Sequence, residues 1–431
     1  MLRLPFSPPT PTPGPSRLFL YAKALALLLL GGSLLFAYIE RYPPLSQAGG
    51  SFYQVAKTRQ ATDGDAAAED GAKKTFIKWV DFTVTSEAMD KALDLDIATF
   101  RSDPHLNWIE LLAYLGARYG GDFSRYKAAD LDKLAQSLNE GSTMGELTKD
   151  MKYYDYYLEA YTAVLGGMVG TYQEEVPAGQ MPSQADSAVG PFPSQAGNSV
   201  GQLPAAPSQP AVDNEDPKAG GPPKAGEPKA EELHAEGQET TWVTKYGLKA
   251  FSPIAKGFPY SEFDDFGTAR SYGFKRQHLG HDMMGQVGTP IIAVESGTVE
   301  ALGWNQYGGW RIGIRSFDKK RYYYYAHLRK GYPYQSDLKE GGTVQAGDVI
   351  GYMGRTGYSR TEDTNNIDES HLHFGLQLIF DESQKDGNNE IWISCYELVR
   401  FLHQHQSQTQ KIPDTKEWRR VYRTKDLPPF S

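Results

Sequence analysis

The sequence predicts a multidomain chain: an N-terminal transmembrane helix, a small mainly helical domain, a flexible linker, and an all-β, barrel-sandwich-like domain that carries the chemistry. Three observations predict it. Residues 18–39 are an apolar run whose one charge is Lys23; residues 173–241 hold a single aromatic, Phe192; and beyond Trp242 short alternating apolar runs are broken by glycines. With 431 residues there is chain enough for two or three domains. Lys and Arg total 44 against 53 for Asp and Glu, and the net charge of −9 leaves no basic field to hold nucleic acid. Cys395 has no second cysteine to pair with, so packing or a metal must supply stability.

The apolar run, LFLYAKALALLLLGGSLLFAYI, is long enough to cross about 30 Å of hydrocarbon as a helix. Arg3, Arg17 and Lys23 precede or open it without an acid among them, so residues 1–17 are expected in the cytoplasm and everything after Arg41 outside. That makes a single-pass protein of the cell membrane with an extracytoplasmic catalytic domain. Ser46-Gln47-Ala48 resembles a signal-peptide cleavage site, but its distance from the apolar run favours a retained anchor. Residues 40–74 are small and polar and read as a spacer.

Residues 75–172 regain aromatics and helical periodicity. Val80, Phe82 and Val84 alternate as a short strand, and Ser86 is placed to cap a helix carrying Met89, Ala92, Leu93 and Ile97. Asp103-Pro104 is expected to open a second helix, with Trp108, Leu111, Leu112, Leu115 and Tyr119 as its stripe and Gly120-Gly121 as its stop. Leu131, Leu134 and Leu138 mark a third. Thr143 and Glu146 form a capping box that opens a long helix to Gly166-Gly167. Glu110 alone, beside Trp108, is too little for a glycosidase pair of carboxylates, so this domain reads as a spacer or a docking module.

Pro, Ala, Gly, Ser and Gln dominate residues 173–241, and PSQA at 182–185 recurs at 193–196, so no packed core is expected there. As a flexible tether its reach would be roughly 45 Å. The β domain follows at 242–405, with a C-terminal tail at 406–431.

Five of the nine histidines fall between His278 and His373. His278 and Asp282 are four apart in HLGHD, an even spacing that puts both on one face of an extended segment, with His281 facing the other way. His371 and His373 leave one face of a strand in which Leu372, Phe374, Leu376 and Leu378 alternate with them. A catalytic Zn²⁺ takes three protein ligands and leaves water in a fourth position, and His278, Asp282 and one histidine of the second pair fit. His327, after the run at 322–325, reads by itself as a core histidine.

HLGHD at 278–282, YAHL at 325–328 and HLHF at 371–374 together resemble the lysostaphin-like, LytM-type family of peptidoglycan zinc metallopeptidases. GTPIIAVESGTVEAL at 288–302 and VQAGDVIGYMGRTG at 344–357 are similar to it as well. The resemblance covers roughly residues 245–400 and leaves out the helical region. It implies a barrel-sandwich domain of the duplicated-hybrid-motif kind that acts as a zinc metalloendopeptidase on peptidoglycan stems or cross-links. It also implies His278, Asp282 and His373 as zinc ligands, His371 as general base and His327 as donor to the tetrahedral intermediate. Partners implied are peptidoglycan, the membrane through the N-terminal helix, and a divisome, sporulation or wall-complex protein on the helical domain.

The chain departs from the family pattern in two places. A longer acidic loop, YSRTEDTNNIDES at 358–370, precedes HLHF, and Gly375 stands where a glutamate is usual. DESQKDGNNE at 381–390 and a helix-like stretch at 394–405 extend the domain, with His403 and His405 read as surface residues. A biotin or lipoyl carrier would need a lysine on a hairpin tip, and no such motif is present. A catalytically silent wall-binding or activator scaffold is the remaining alternative, and five retained polar residues argue for an enzyme.

Overall fold

The computed structural model of the chain describes residues 78–178, 239–271, 275–386 and 389–426. The expected anchor at 18–39, the spacer at 40–74 and Ser46-Gln47-Ala48 lie outside the described residues, as does residues 179–238 of the expected linker. Among the described residues no helix is long and apolar enough to cross a membrane.

The first part is helical. A short strand β1 (Lys78–Val80) precedes α1 (Ser86–Thr99), α2 (Trp108–Tyr119), α3 (Ala128–Asn139), α4 (Met144–Thr148) and α5 (Tyr154–Leu165). Thr85 rather than Ser86 caps α1, its side chain accepting from the Ala88 amide, and the strand stops at Val80, leaving Phe82 and Val84 buried on irregular backbone. Asn107, not Asp103-Pro104, caps α2 by accepting from Ile109 and Glu110, while Gly120 ends it at φ 65°. The Thr143–Glu146 capping box is present, yet the expected long helix is two: α4 stops at Thr148, whose hydroxyl turns back to the Met144 carbonyl at 2.8 Å, and α5 restarts at Tyr154.

Strands follow. β2 (Val169–Pro177) pairs antiparallel with β3 (Thr240–Leu248) along their whole length, from Val169↔Leu248 to Pro177↔Thr240. Residues 173–177 and 240–241, expected in the linker, are therefore strand. The acidic text of 173–175 concealed this: Glu175 is buried, and although burial opposes its charge, hydrogen bonds from Arg423 and Thr240 hold it down to about 2. The Ala178 amide also donates to the Glu239 carbonyl at 2.6 Å, so the two ends of the intervening segment are clasped together instead of standing apart as the ends of a tether.

Next come β4 (Ser261–Glu262), β5 (Ala269–Ser271), β6 (Lys275–Gln277), β7 (His281–Met284), β8 (Pro290–Ile292), β9 (Gly297–Asn305), β10 (Gly309–Ser316), β11 (Arg321–Ala326), β12 (Thr343–Val344), β13 (Val349–Tyr352), β14 (His371–Leu378) and β15 (Ile391–Ile393). The main sheet runs β1-β15-β14-β11-β10-β9-β12, with β7 and β4 added beside β14. β14 is the spine: β11 lies along one edge, and the other edge is shared by β7, opposite 371–374, and β15, opposite 376–378. β13 and β8 form a separate pair, whose Ile292, Val349 and Tyr352 pack with Phe251 and Trp418.

The chain closes with α6 (Tyr396–Leu402), β16 (Thr409–Lys411), β17 (Trp418–Arg420) and β18 (Thr424–Asp426). The expected tail is thus structured through Asp426. β18 pairs with β2, and Trp418 is core. Sequence distance hid these pairings, since β18 finds its partner some 250 residues upstream, Thr424 opposite Glu174. His405 is not a simple surface residue: its ring stacks on Phe251 with centroids 4.0 Å apart, Nδ1–H donates to the Ala250 carbonyl, and burial lowers its pKa. His403 is exposed.

Helices and sheet share one core. β1 pairs in parallel with β15, Trp108 stacks on Phe401 at 5.8 Å, and the Ser86 amide donates to Glu397. Arg321, buried in the sheet, donates bidentately to Glu295 and also to the Ala163 carbonyl at the end of α5. A buried guanidinium satisfied from both parts makes the helical region a layer of the same body, not an independent domain.

Candidate metal centre

Sheet register assembles the site. Asp282 on β7 lies directly opposite His373 on β14, and Ala326 at the end of β11 lies opposite His373 on the other side. His371, two residues before His373, leaves β14 on the same face. His278 is not on a continuous extended segment with Asp282 as the spacing suggested. β6 ends at Gln277, a bend at Gly280 intervenes, and β7 begins at His281. The bend still returns His278 to Asp282, and it requires glycine: a Cβ at position 280 would fall 2.5 Å from Cε1 and Nε2 of His373.

Three atoms converge. His278 Nε2 stands 3.1 Å from Asp282 Oδ1 and 3.1 Å from His373 Nδ1, and His373 Nδ1 stands 2.8 Å from Asp282 Oδ1. His278 Nδ1 lies 2.9 Å from Asp265 Oδ1. Burial alone would push the Asp265 carboxyl upward, but bonds from His278 and Arg270 outweigh it and hold it below the usual carboxylate range. An ionised carboxylate only accepts, so His278 Nδ1 carries a proton, and in the neutral ring Nε2 presents a lone pair, although against its burial Asp265 and Asp282 raise its pKa. That lone pair faces a carboxylate oxygen, and no single proton satisfies all three contacts. A cation does.

Ligand atoms about 2.0–2.2 Å from a tetrahedral Zn²⁺ stand roughly 3.3 Å apart, close to the triangle seen here. Two imidazoles and a carboxylate are also the donors zinc accepts, and they form the one metal-capable cluster found among the described residues. Asp282 is held far below the usual carboxylate range, because bonds from His278 and His373 overcome its burial. Burial drives His373 down to about 4 against the pull of Asp282. Both therefore offer lone pairs at neutral pH.

Two further histidines face this cluster. His371 Nδ1–H donates to the Glu369 carbonyl at 2.9 Å, so in the neutral ring the lone pair is on Nε2, 3.8 Å from Asp282 Oδ2. His327 follows β11 at φ 64°, a left-handed backbone uncommon for histidine, with its amide on the Gly308 carbonyl and Nδ1–H on the Thr356 carbonyl at 2.9 Å. Its ring is 4.8 Å from His371 and 5.9 Å from His373 by centroids. Burial, then the neighbouring His371 and His373, keep it neutral, well below the ordinary imidazole pKa. His281 does face away, into Glu262 at 2.7 Å and against Tyr396.

The site's walls come from the departures noted in the sequence. Tyr358, first residue of the acidic loop, stacks on His327, and Arg276 covers Tyr358 at 4.9 Å. Asp363 pins that loop by accepting from Trp310 Nε1 and the Gly331 amide. Gly375 leaves room for Trp392, whose ring would stand 2.7 Å from a Cβ there, and Tyr324 bridges Trp392 to His373 edge-on. Residues missed from sequence are Asp265 and Arg270. The segment DDFGTAR at 264–270 carries acids and a base near the first histidine, but nothing in its spacing marks them.

Residues 276–386 match the model of Peptidase family M23. An L-Ala–D-Glu endopeptidase of Bacillus subtilis (strain 168) is 34% identical over 165 residues, 38% of this chain and 47% of that protein. Lysostaphin of Staphylococcus staphylolyticus is 38% identical over 98 residues, 22% of this chain and 18% of that one. The chain thus spans less than half the length of either relative. Among solved structures, the catalytic domain of the antimicrobial peptidase lysostaphin from Staphylococcus simulans is 33% identical, covering 29% of this chain and 85% of that chain at a TM-score of 0.24.

Proposed function

We propose that the Peptidase family M23 domain carried by this chain is a zinc metalloendopeptidase that hydrolyses peptide bonds in the stems or cross-links of peptidoglycan. The observation that carries this reading is the triangle of donor atoms on His278, Asp282 and His373, with the imidazoles of His371 and His327 beside it. His278, Asp282 and His373 would hold the metal. Zinc bound there supplies Lewis acidity, polarising the scissile carbonyl and making water acidic enough to deprotonate near pH 7.

The remaining work falls to the two free imidazoles. His371 Nε2 accepts the proton of the attacking water, since its Nδ1–H is committed to Glu369, and returns it to the departing amine. His327 has its Nδ1–H committed to Thr356, so it donates only through Nε2 and only as imidazolium. Negative charge growing on the carbonyl oxygen favours that imidazolium, so a proton taken up from solvent at Nε2 is held there as the tetrahedral intermediate forms and is returned to solvent when it collapses. Tyr358 stacks on His327, and Tyr324 meets the ligand His373 edge-on.

Placement outside the membrane belongs to the same reading, because the substrate is there. It rests on the apolar run at 18–39 and the cations before it. Purified sacculi incubated with the full chain, with and without a chelator, and analysed by mass spectrometry of the soluble products test the activity. Released muropeptides with a newly cut peptide bond, lost with chelator and restored by zinc, are expected. Intact stems and cross-links with zinc-loaded protein would refute it.

A further inference from the structure

The metal centre is braced by a second ring of charge. Arg270 on β5 donates through Nη1 to Asp282 Oδ2 at 2.7 Å and through Nη2 to Asp265 Oδ2. Asp265 in turn accepts from His278 Nδ1 at 2.9 Å. The circuit therefore closes: His278 to Asp265, Asp265 to Arg270, Arg270 to Asp282, and Asp282 back to His278. Side chains of His278 and Asp282 are 2% exposed, Asp265 is 12% and Arg270 is 23%, so the bridge is screened from solvent where it meets the ligands. Both Asp265 and Arg270 lie N-terminal to the segment that matches the family model, 276–386.

Given the metallopeptidase reading above, we propose that Arg270 and Asp265 are positioning residues of the metal centre, one bridge that orients His278 and restricts Asp282 to a single ligand oxygen. The chemistry follows from the contacts. Asp282 carries two oxygens, and Oδ1 alone joins the triangle of donor atoms. Arg270 occupies Oδ2, so the carboxylate is held from the bidentate grip that would take a coordination position needed for water and substrate. Asp265 fixes the tautomer and plane of His278. Without a cation beside it, Asp265 would add a second buried negative charge and weaken the metal as a Lewis acid. Arg270 cancels that charge, and its fork reaches both carboxylates at once, as a lysine ammonium on a flexible stem cannot.

The test uses the full chain and two metals. Zinc affinity is measured by competition with a chromogenic chelator, and coordination number by the visible absorption of the cobalt(II)-substituted protein. Arg270→Gln and Asp265→Asn should each weaken zinc binding by about 10–100-fold. Because they break one bridge, the double variant should lose little more than either single. Arg270→Gln should also shift the cobalt spectrum toward the weaker absorption of higher coordination as Asp282 takes the metal with both oxygens. Asp265→Asn, which leaves Arg270 on Asp282, should not. Arg270→Lys keeps the charge without the fork and should fall between parent and Arg270→Gln, which serves if the latter does not fold. Parental zinc affinity and an unchanged cobalt spectrum in Arg270→Gln or Arg270→Lys would overturn the bridge alone. A parent chain that binds no zinc would overturn the metallopeptidase reading, and this inference with it.

Discussion

Gly280 and His373 are packed so closely that the position of a Cβ on Gly280 is already taken, at 2.5 Å from two atoms of the imidazole. The backbone carbonyl of Phe374 would stand 2.8 Å from the same Cβ, so strand β14 obstructs the added methyl as well as the ring does. Gly280→Ala should therefore push His373 off Asp282 and cut zinc affinity by tenfold or more, while far-UV circular dichroism stays parental. Undiminished zinc binding in that variant would show that His373 is not held as described.

The ligands and the free imidazoles should separate experimentally. His278→Ala and His373→Ala are each expected to lose stoichiometric zinc. His327→Ala should retain it and lose turnover by roughly 100-fold or more, in the range of general acid–base contributions. Zinc retained at full occupancy by His278→Ala would remove that residue from the ligand set.

Trp392 and Gly375 form a matched pair. Restoring the glutamate usual at this position, Gly375→Glu, drives a side chain into the Trp392 ring, whose Cζ3 would stand 2.7 Å from the new Cβ. Overpacking of this kind costs about 1–3 kcal/mol. Thermal unfolding should show a lower Tm for Gly375→Glu and recovery in Gly375→Glu/Trp392→Ala. A single variant as stable as the parent would mean that the ring moves freely.

A chain beginning at residue 240 should not fold as a stable enzyme. It would strip β3 of its partner β2, expose Phe401 where Trp108 covers it, and leave Arg321 without the Ala163 carbonyl. Restoring residues 75–178 on a separate polypeptide should recover folding if the two parts recognise each other through these contacts. A cooperative unfolding transition in the shorter chain alone would contradict the shared core.

Acid should destabilise the metal-free chain. Burial lowers His405, and it lowers His373 to about 4, against an unfolded value of about 6.5. Groups whose folded pKa is depressed leave the unfolded state with more bound protons as pH falls from about 6.5 toward 4, so stability is lost across that window. His278, raised by Asp265 and Asp282 against its burial, works in the opposite direction with one proton. Tm in chelator should fall between pH 7 and 5, and His405→Gln should shallow the decline, since its ring is remote from the metal ligands. A flat profile in the parent would refute the buried neutral state of these rings.

Much of the site was legible because its residues sit in short, periodic text. HLHF alternates, its leucine and phenylalanine are buried, and its histidines leave one face, so the pair at 371 and 373 could be seen without a structure. The helices were legible wherever a cap or stop was local, as at Thr143–Glu146 and Gly120. The start of α2 was not legible at Asp103-Pro104, because capping depends on which side chain reaches the free amides, and that is Asn107.

By itself the sequence determined that five histidines and an aspartate occur in three short motifs, with an even spacing that puts His371 and His373 on one face. It also determined that residues 18–39 are apolar and residues 179–238 poor in aromatics, since composition is a local property. Tertiary structure alone decided that Asp282 meets His373, that Arg270 and Asp265 brace the ligands, and that β2, β3 and β18 close one sheet around the ends of that segment. Those are pairings between distant parts of the chain. A strand's period says which side chains share a face, but its partner is chosen by where burial and hydrogen bonding are satisfied together, and that choice exists only once the chain has folded.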